Sequence, residues 1–168
     1  MFFFAVLWAG TGLFGQEMSV NMGLIKTLIP NSSRVAVIFN PNGPAASSLT
    51  GEMEATSRDQ SLMVIKVPIT SIREIAPAMR NLASFEVDFM YLVEDKIITG
   101  TNSIKFVVKS TVKKGIPVFA TTDNAFKGGA LGRIDGSGDA AVLTINGKVQ
   151  SRFNLQIPEG NNKIKIEE

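Results

Sequence analysis

Unbroken apolar runs alternate along this chain with amphipathic ones. Val35 to Phe39 is rich in β-branched and aromatic side chains, with no polar residue interrupting it. It is too short for an ordinary helix and reads as a strand covered on both faces. Met63–Val67, Val87–Val93, Ile116–Ala120, Ala130–Ile134 and Ala141–Ile145 read as further extended segments, with Asp88 the polar exception within Val87–Val93. Between them, apolar residues recur at helical spacing. Val20, Leu24, Ile25 and Leu28 predict a helix from Ser19 to Ile29, stopped by Pro30 and Asn31. Ala46, Leu49 and Met53 predict one running to about Gln60, Ile72, Ile75, Met79 and Leu82 a third, and Ile104, Val107, Val108 and Val112 a fourth.

The punctuation between these segments fits that order. Asn40, Pro41, Asn42, Gly43 and Pro44 form a turn cluster, and the small, hydroxyl-rich run after it opens a helix. Ser71 with Glu74 predicts a capping box, while Pro77 within the same pattern implies a late helix start or a kink. Lys113, Lys114, Gly115 and Pro117 form a helix stop. A short turn is expected through Gly128 and Gly129, a flexible one at Gly136-Ser137-Gly138, and another at Asn146-Gly147. Val149 and Phe153 suit one face of a short helix, and Ile164 and Ile166 a peripheral segment or edge strand. Strand and helix alternating in this way predict an α/β fold: a three-layer αβα sandwich around a mostly parallel, doubly wound, Rossmann-like sheet. In such sheets ligands bind beyond the carboxyl ends of the strands, among loops and helix N-termini. The loop after Phe39 is the first place to look.

Composition narrows the chemistry. A chain of 168 residues suits one domain. Its opening, MFFFAVLWAG, has the length of a signal-peptide core, although no Lys or Arg precedes it and no small-x-small cleavage site is evident. Residues 1–16 are therefore either a signal peptide or a buried edge segment, and 17–168 a single α/β solute-binding-like domain. The first alternative places the protein in the periplasm or otherwise outside the cytoplasm, the second in the cytoplasm. Cys and His are both absent. That removes thiol nucleophiles, disulfides, Cys or His metal sites and imidazole acid-base chemistry. No catalytic residue, metal or cofactor is expected, and the protein reads as a non-enzyme. Lys plus Arg number 17 against 15 Asp plus Glu, scattered along the sequence, so nucleic acid is not expected as a partner.

Several short motifs, taken in order, resemble the substrate-binding proteins of ABC transporters, in the branch associated with aromatic amino acids and related solutes. Leu28, Pro30 and Asn31 before the first strand, then Phe39-Asn40-Pro41 after it, are similar to the family's Leu-x-Pro-Asn and Tyr-Asn-Pro. Val67-Pro68-Ile69-Thr70-Ser71 resembles its Val-Pro-Val-Thr-Ser. Ile116-Pro117-Val118-Phe119, then Asp123, then Gly129-Ala130-Leu131 resembles a further segment, and Ile145-Asn146 through Asn154-Leu155 to Ile157-Pro158-Glu159 resembles its ending. The likeness covers about Leu24 to Glu159 and fits the second, C-terminal lobe of the type I periplasmic binding protein fold. It implies binding of a small solute such as an amino acid, delivered to an ABC permease. It also implies that a lone lobe exposes the surface its companion lobe would cover, which favours a homo-oligomer, and a self-associating module without ligand is the alternative function. Between Leu131 and Ala141 the family inserts a long helix where this chain has only GRIDGSGDA.

The family uses loops at strand ends, which implies Asn40, Asn42, Ser47 and Ser48 after the first strand, Glu94 and Asp95 after the third, and Thr122, Asp123 and Asn124 after the fourth. Ser47 and Ser48 near a helix N-terminus suit a carboxylate or phosphate, and Glu94 or Asp95 an ammonium group. The same residue types are what turns and caps require. Adjacent residues on an extended segment point to opposite sides, so Glu94 and Asp95 do not read as a cooperating acid-base pair or Mg²⁺ site. Trp8 and Tyr91, each the sole residue of its kind, read as core.

Overall fold

The computed structural model describes residues 17–153, 155–158 and 160–168. Segment 1–16, with Trp8 and the signal-peptide or edge-segment expectation, lies outside the described residues. The element order is α1 (Glu17–Leu28), β1 (Arg34–Phe39), α2 (Ala46–Asp59), β2 (Met63–Pro68), α3 (Ile72–Asn81), β3 (Phe89–Leu92) and α4 (Thr101–Val112). It continues with β4 (Val118–Ala120), α5 (Asp123–Lys127), β5 (Gly132–Asp135), β6 (Val142–Asn146), α6 (Gly147–Gln150) and β7 (Ile164–Glu167).

These strands form one sheet in the order β2-β1-β3-β4-β5-β6-β7. All neighbours are parallel except β5 with β6, where Gly132 lies opposite Ile145 and Asp135 opposite Val142. The expected sandwich forms because the strands are apolar on both sides. Val35, Val37, Phe89, Tyr91 and Phe119 pack beneath Met22 and Ile25 of α1 and Leu49 and Met53 of α2. Alternate residues Ala36, Ile38, Met90, Leu92 and Val118 pack against Ile75 and Met79 of α3 and Ile104 and Val107 of α4 on the other face. Phe89 and Phe119 meet edge to face with ring centroids 5.9 Å apart. Asp88, the polar exception, accepts from the Ser33 and Arg34 N–H groups at 2.6 and 2.8 Å and so ties the entrance of β1 to that of β3.

Four local outcomes differ from the sequence pattern. The short turn expected through Gly128 and Gly129 is preceded by a short helix that the pattern does not show, α5, whose N-cap Thr122 accepts from the Ala125 N–H. Ser71 is the N-cap of α3 but makes no side-chain cap bond. Glu74 instead reaches one residue further back, to Thr70 N–H at 2.7 Å and Thr70 Oγ1 at 2.8 Å. Helix α3 passes through Pro77 without a late start, since the one helix bond that Pro77 cannot make is to the carbonyl of Arg73, an exposed residue in the first turn. Finally, the fold gathers basic residues that are dispersed in sequence. Arg73, Arg80, Lys105, Lys109, Lys113 and Lys114 share the exposed α3–α4 layer, where Glu74 is the single carboxylate. The tail supplies β7, an edge strand with Ile164 buried and Ile166 exposed.

Candidate functional site

The sheet order reverses at β1, which has β2 on one side and β3 on the other. In a doubly wound sheet a crevice opens at that point, beyond the carboxyl ends of the strands. Two loops meet there. Asn40 Nδ2 donates to Asp95 Oδ2 at 3.0 Å, and the Asn42 N–H donates to Asn40 Oδ1 at 2.9 Å. The other Asp95 carboxylate oxygen accepts from the Ile97 N–H at 2.7 Å, and its carbonyl accepts from both the N–H and the hydroxyl of Thr99. A Cβ on Gly43 would sit 3.2 Å from Asp95 Oδ2, so a glycine there lets the first loop lie against the second. Asn40, Asn42 and Asp95 thus brace the rim.

Beside this brace, on the α1–α2 face, lies a cleft of about 740 Å³. Ser47, Ser48 and Glu94 line it, so three of the nine expected positions converge on one space. Glu94 and Asp95 part company, one lining the cleft and the other holding the loops. The three residues after β4 serve elsewhere. Thr122 caps α5, and Asp123 pairs with Lys127 at 2.5 Å and Arg133 at 2.6 Å. Asn124 Nδ2 donates to the Thr99 carbonyl at 2.7 Å. The hydrogen bond from Lys127, with the charges of Lys127 and Arg133, holds the Asp123 carboxyl below its ordinary range. Arg133 also pairs with Asp135 at 2.8 Å and lies 4.9 Å from the Phe126 ring centroid, which makes it the hub joining α5 to β5.

The N-terminus of α2 opens onto the cleft. Its N-cap is Ala45, which has no side chain able to accept, and Ser48 Oγ donates back to the Ala45 carbonyl. The Ala46, Ser48 and Leu49 N–H groups bond to carbonyls of Gly43 and Ala45, while the Ser47 N–H has no acceptor among the described residues.

The cleft floor holds residues that the sequence pattern does not single out for a site. Tyr91, on β3, is 5% exposed and its hydroxyl accepts from Asn21 Nδ2 at 2.9 Å. Burial pushes the phenol from its ordinary value of 10.0 up to about 12; the Asn21 bond opposes this, and the charges of Glu52, Glu17 and Glu94 add to it. Asn21 and Ser19 are the polar residues buried on α1, and Asn21 stands among Met18, Met22 and Ile25. A polar residue within that helical apolar period is the signal that could have found it. A larger hollow of about 850 Å³, near Leu28, Gln150 and Ile157, lies at the far end of the sheet, with no charged side chain among the described residues lining it. Among the described residues no cluster of acidic side chains suits a metal ion.

The profile of the ABC transporter substrate binding protein family matches residues 11–163. The chain belongs to that family. Three solved structures share its fold. A conserved domain protein from Vibrio cholerae is 16% identical with a TM-score of 0.76, over 90% of this chain and 60% of that one. A substrate binding protein with adhesive properties from Clostridium difficile, in its ligand-free open form, is 16% identical with a TM-score of 0.71, over 88% and 58%. An ABC domain from Streptococcus pneumonia in complex with L-Trp is 19% identical with a TM-score of 0.71, over 87% and 57%. This member of the substrate-binding family therefore spans about three-fifths of the length of these relatives. No curated protein was found to match it. No helix among the described residues is long and apolar enough to cross a membrane.

Proposed function

We propose that this chain is a non-catalytic solute-binding domain that works outside the cytoplasm with an ABC permease. It holds a small solute such as an amino acid in the α1–α2 cleft. The observation that carries this reading is the α2 N-terminus, without a side-chain cap, sharing the cleft with Glu94. The open N–H of Ser47 and the positive end of the helix dipole favour a carboxylate, with the Ser47 and Ser48 hydroxyls beside it. Glu94, without a cation partner among the described residues, takes the ammonium end. The cleft is open to one side, where the companion lobe that the family resemblance implies would cover it.

Thermal unfolding of the chain with a panel of amino acids at millimolar concentration tests this. Ligand present at about 100 times its Kd stabilises by about 2.7 kcal/mol, a rise of several degrees for a domain of this size. At least one amino acid is expected to produce that rise, and Glu94→Gln to reduce it. A panel in which no member moves the midpoint overturns the reading.

A further inference from the structure

The charged groups that line the cleft are all carboxylates. Glu17 at the start of α1, Glu52 one turn beyond Ser48 on α2, and Glu94 after β3 all line it, and no Lys or Arg does. None of the three carboxylates is ion-paired among the described residues. The spacing of four between Glu17 and Asn21, and again between Ser48 and Glu52, places each pair on one face of its helix, and both faces turn to the same space. At the floor, Asn21 is 7% exposed and has spent its Nδ2 on Tyr91, which leaves Oδ1 as an acceptor with no donor in the described chain. The three acidic side chains lie close enough to act on the Tyr91 hydroxyl. Carboxylates and an amide carbonyl cannot satisfy one another. Bringing a second lobe over them while they stay unpartnered costs far more than leaving them in water. What fits is a group with several N–H donors and a positive charge.

We propose that the solute is a cationic amine, with ammonium or guanidinium groups in excess over its carboxylates, of the diamine or basic amino acid kind. The proposal rests on the cleft being the solute site. Glu94 and the α2 N-terminus hold the amino-acid-like end, and Glu17, Glu52 and Asn21 Oδ1 receive the distal cation. An acidic solute meets three like charges, and a neutral side chain leaves the acceptors at the floor without donors.

The experiment is calorimetric titration of the full chain with putrescine, L-arginine, L-leucine and L-glutamate. Putrescine and L-arginine are expected to bind on the order of tenfold or more tightly than the other two, as one charge-assisted contact gives. Glu52→Gln together with Glu94→Gln removes that preference, and Glu54→Gln, an exposed position outside the cleft, leaves it. Equal or tighter binding of L-leucine or L-glutamate overturns the charge class and leaves the solute site standing. Failure of all four to bind overturns the charge class, and failure of the wider amino-acid panel as well overturns the solute site with it. A second readout is optical, because Tyr91 is the only tyrosine. The guanidinium of bound L-arginine keeps its charge at alkaline pH, so saturating L-arginine lowers the midpoint of the near-ultraviolet tyrosinate titration, and L-leucine does not. An unmoved midpoint with L-arginine bound overturns the placement of the cation.

Discussion

Tyr91 ties the interior of the sheet to the cleft, and its ionisation is a readable probe of both. With its phenol raised from 10.0 to about 12, the folded chain holds the proton that the unfolded chain releases first. The stabilisation is complete below pH about 10 and is lost as the pH rises through about 12, a change on the order of 2–3 kcal/mol. Chemical unfolding at stepped alkaline pH should show that decline. Tyr91→Phe should flatten it, at a cost of about 1 kcal/mol for the lost Asn21 bond. Single residues also show where sequence reading stops. Turn chemistry located the loop after β1, yet Glu94 and Asp95 are neighbours of the same type with different duties. Only the distance from Asp95 to Asn40 and to the Ile97 N–H decides which carboxylate is spent on the loops. Tyr91 read correctly as buried, and its polar tip at the cleft floor depends on α1, an element that precedes the sheet.

Among the elements, those with a sustained apolar period were legible, because a strand covered on both faces and a helix covered on one leave different marks in sequence. Helix α5 has only the span Asp123–Lys127, shorter than the window in which helical periodicity can declare itself. The α3 start was legible in kind and shifted in detail, with Glu74 bonding Thr70 in place of Ser71. Pro77 is the clearest local conflict, a residue without an N–H inside a ten-residue helix. Its ring faces solvent and no packing depends on it. Pro77→Ala is therefore expected to stabilise the protein by about 1–2 kcal/mol, the regained helix bond being partly offset by a freer unfolded chain, and the unfolding midpoint in urea reports it.

For the whole molecule, the sheet has two ends of different character. At one end β7 carries the exposed Ile166, and at the other β2 presents an outer edge beside the exposed Met63 and Phe85. Lys66 and Pro68 on β2 are the residues that discourage another strand from joining. Lys66→Val should convert this edge into a sticky one, seen in light scattering as mass that grows with concentration beyond that of the parent chain; a profile unchanged from the parent's would show that Pro68 alone suffices. The layered architecture was legible from the alternation of strand and helix. The distribution of charge was not, because Arg80 and Lys114 are distant in sequence and line one hollow only when α3 and α4 pack side by side.

That basic layer has a consequence at the laboratory bench. With six cations and one carboxylate on α3, α4 and the turn after α4, and a net charge of only +2 for the chain, the molecule is electrically lopsided. On a negatively charged resin it should adhere by that side and elute at a higher salt concentration than its net charge suggests, with the opposite, cleft-bearing side turned outward and free to take up solute while the protein is held.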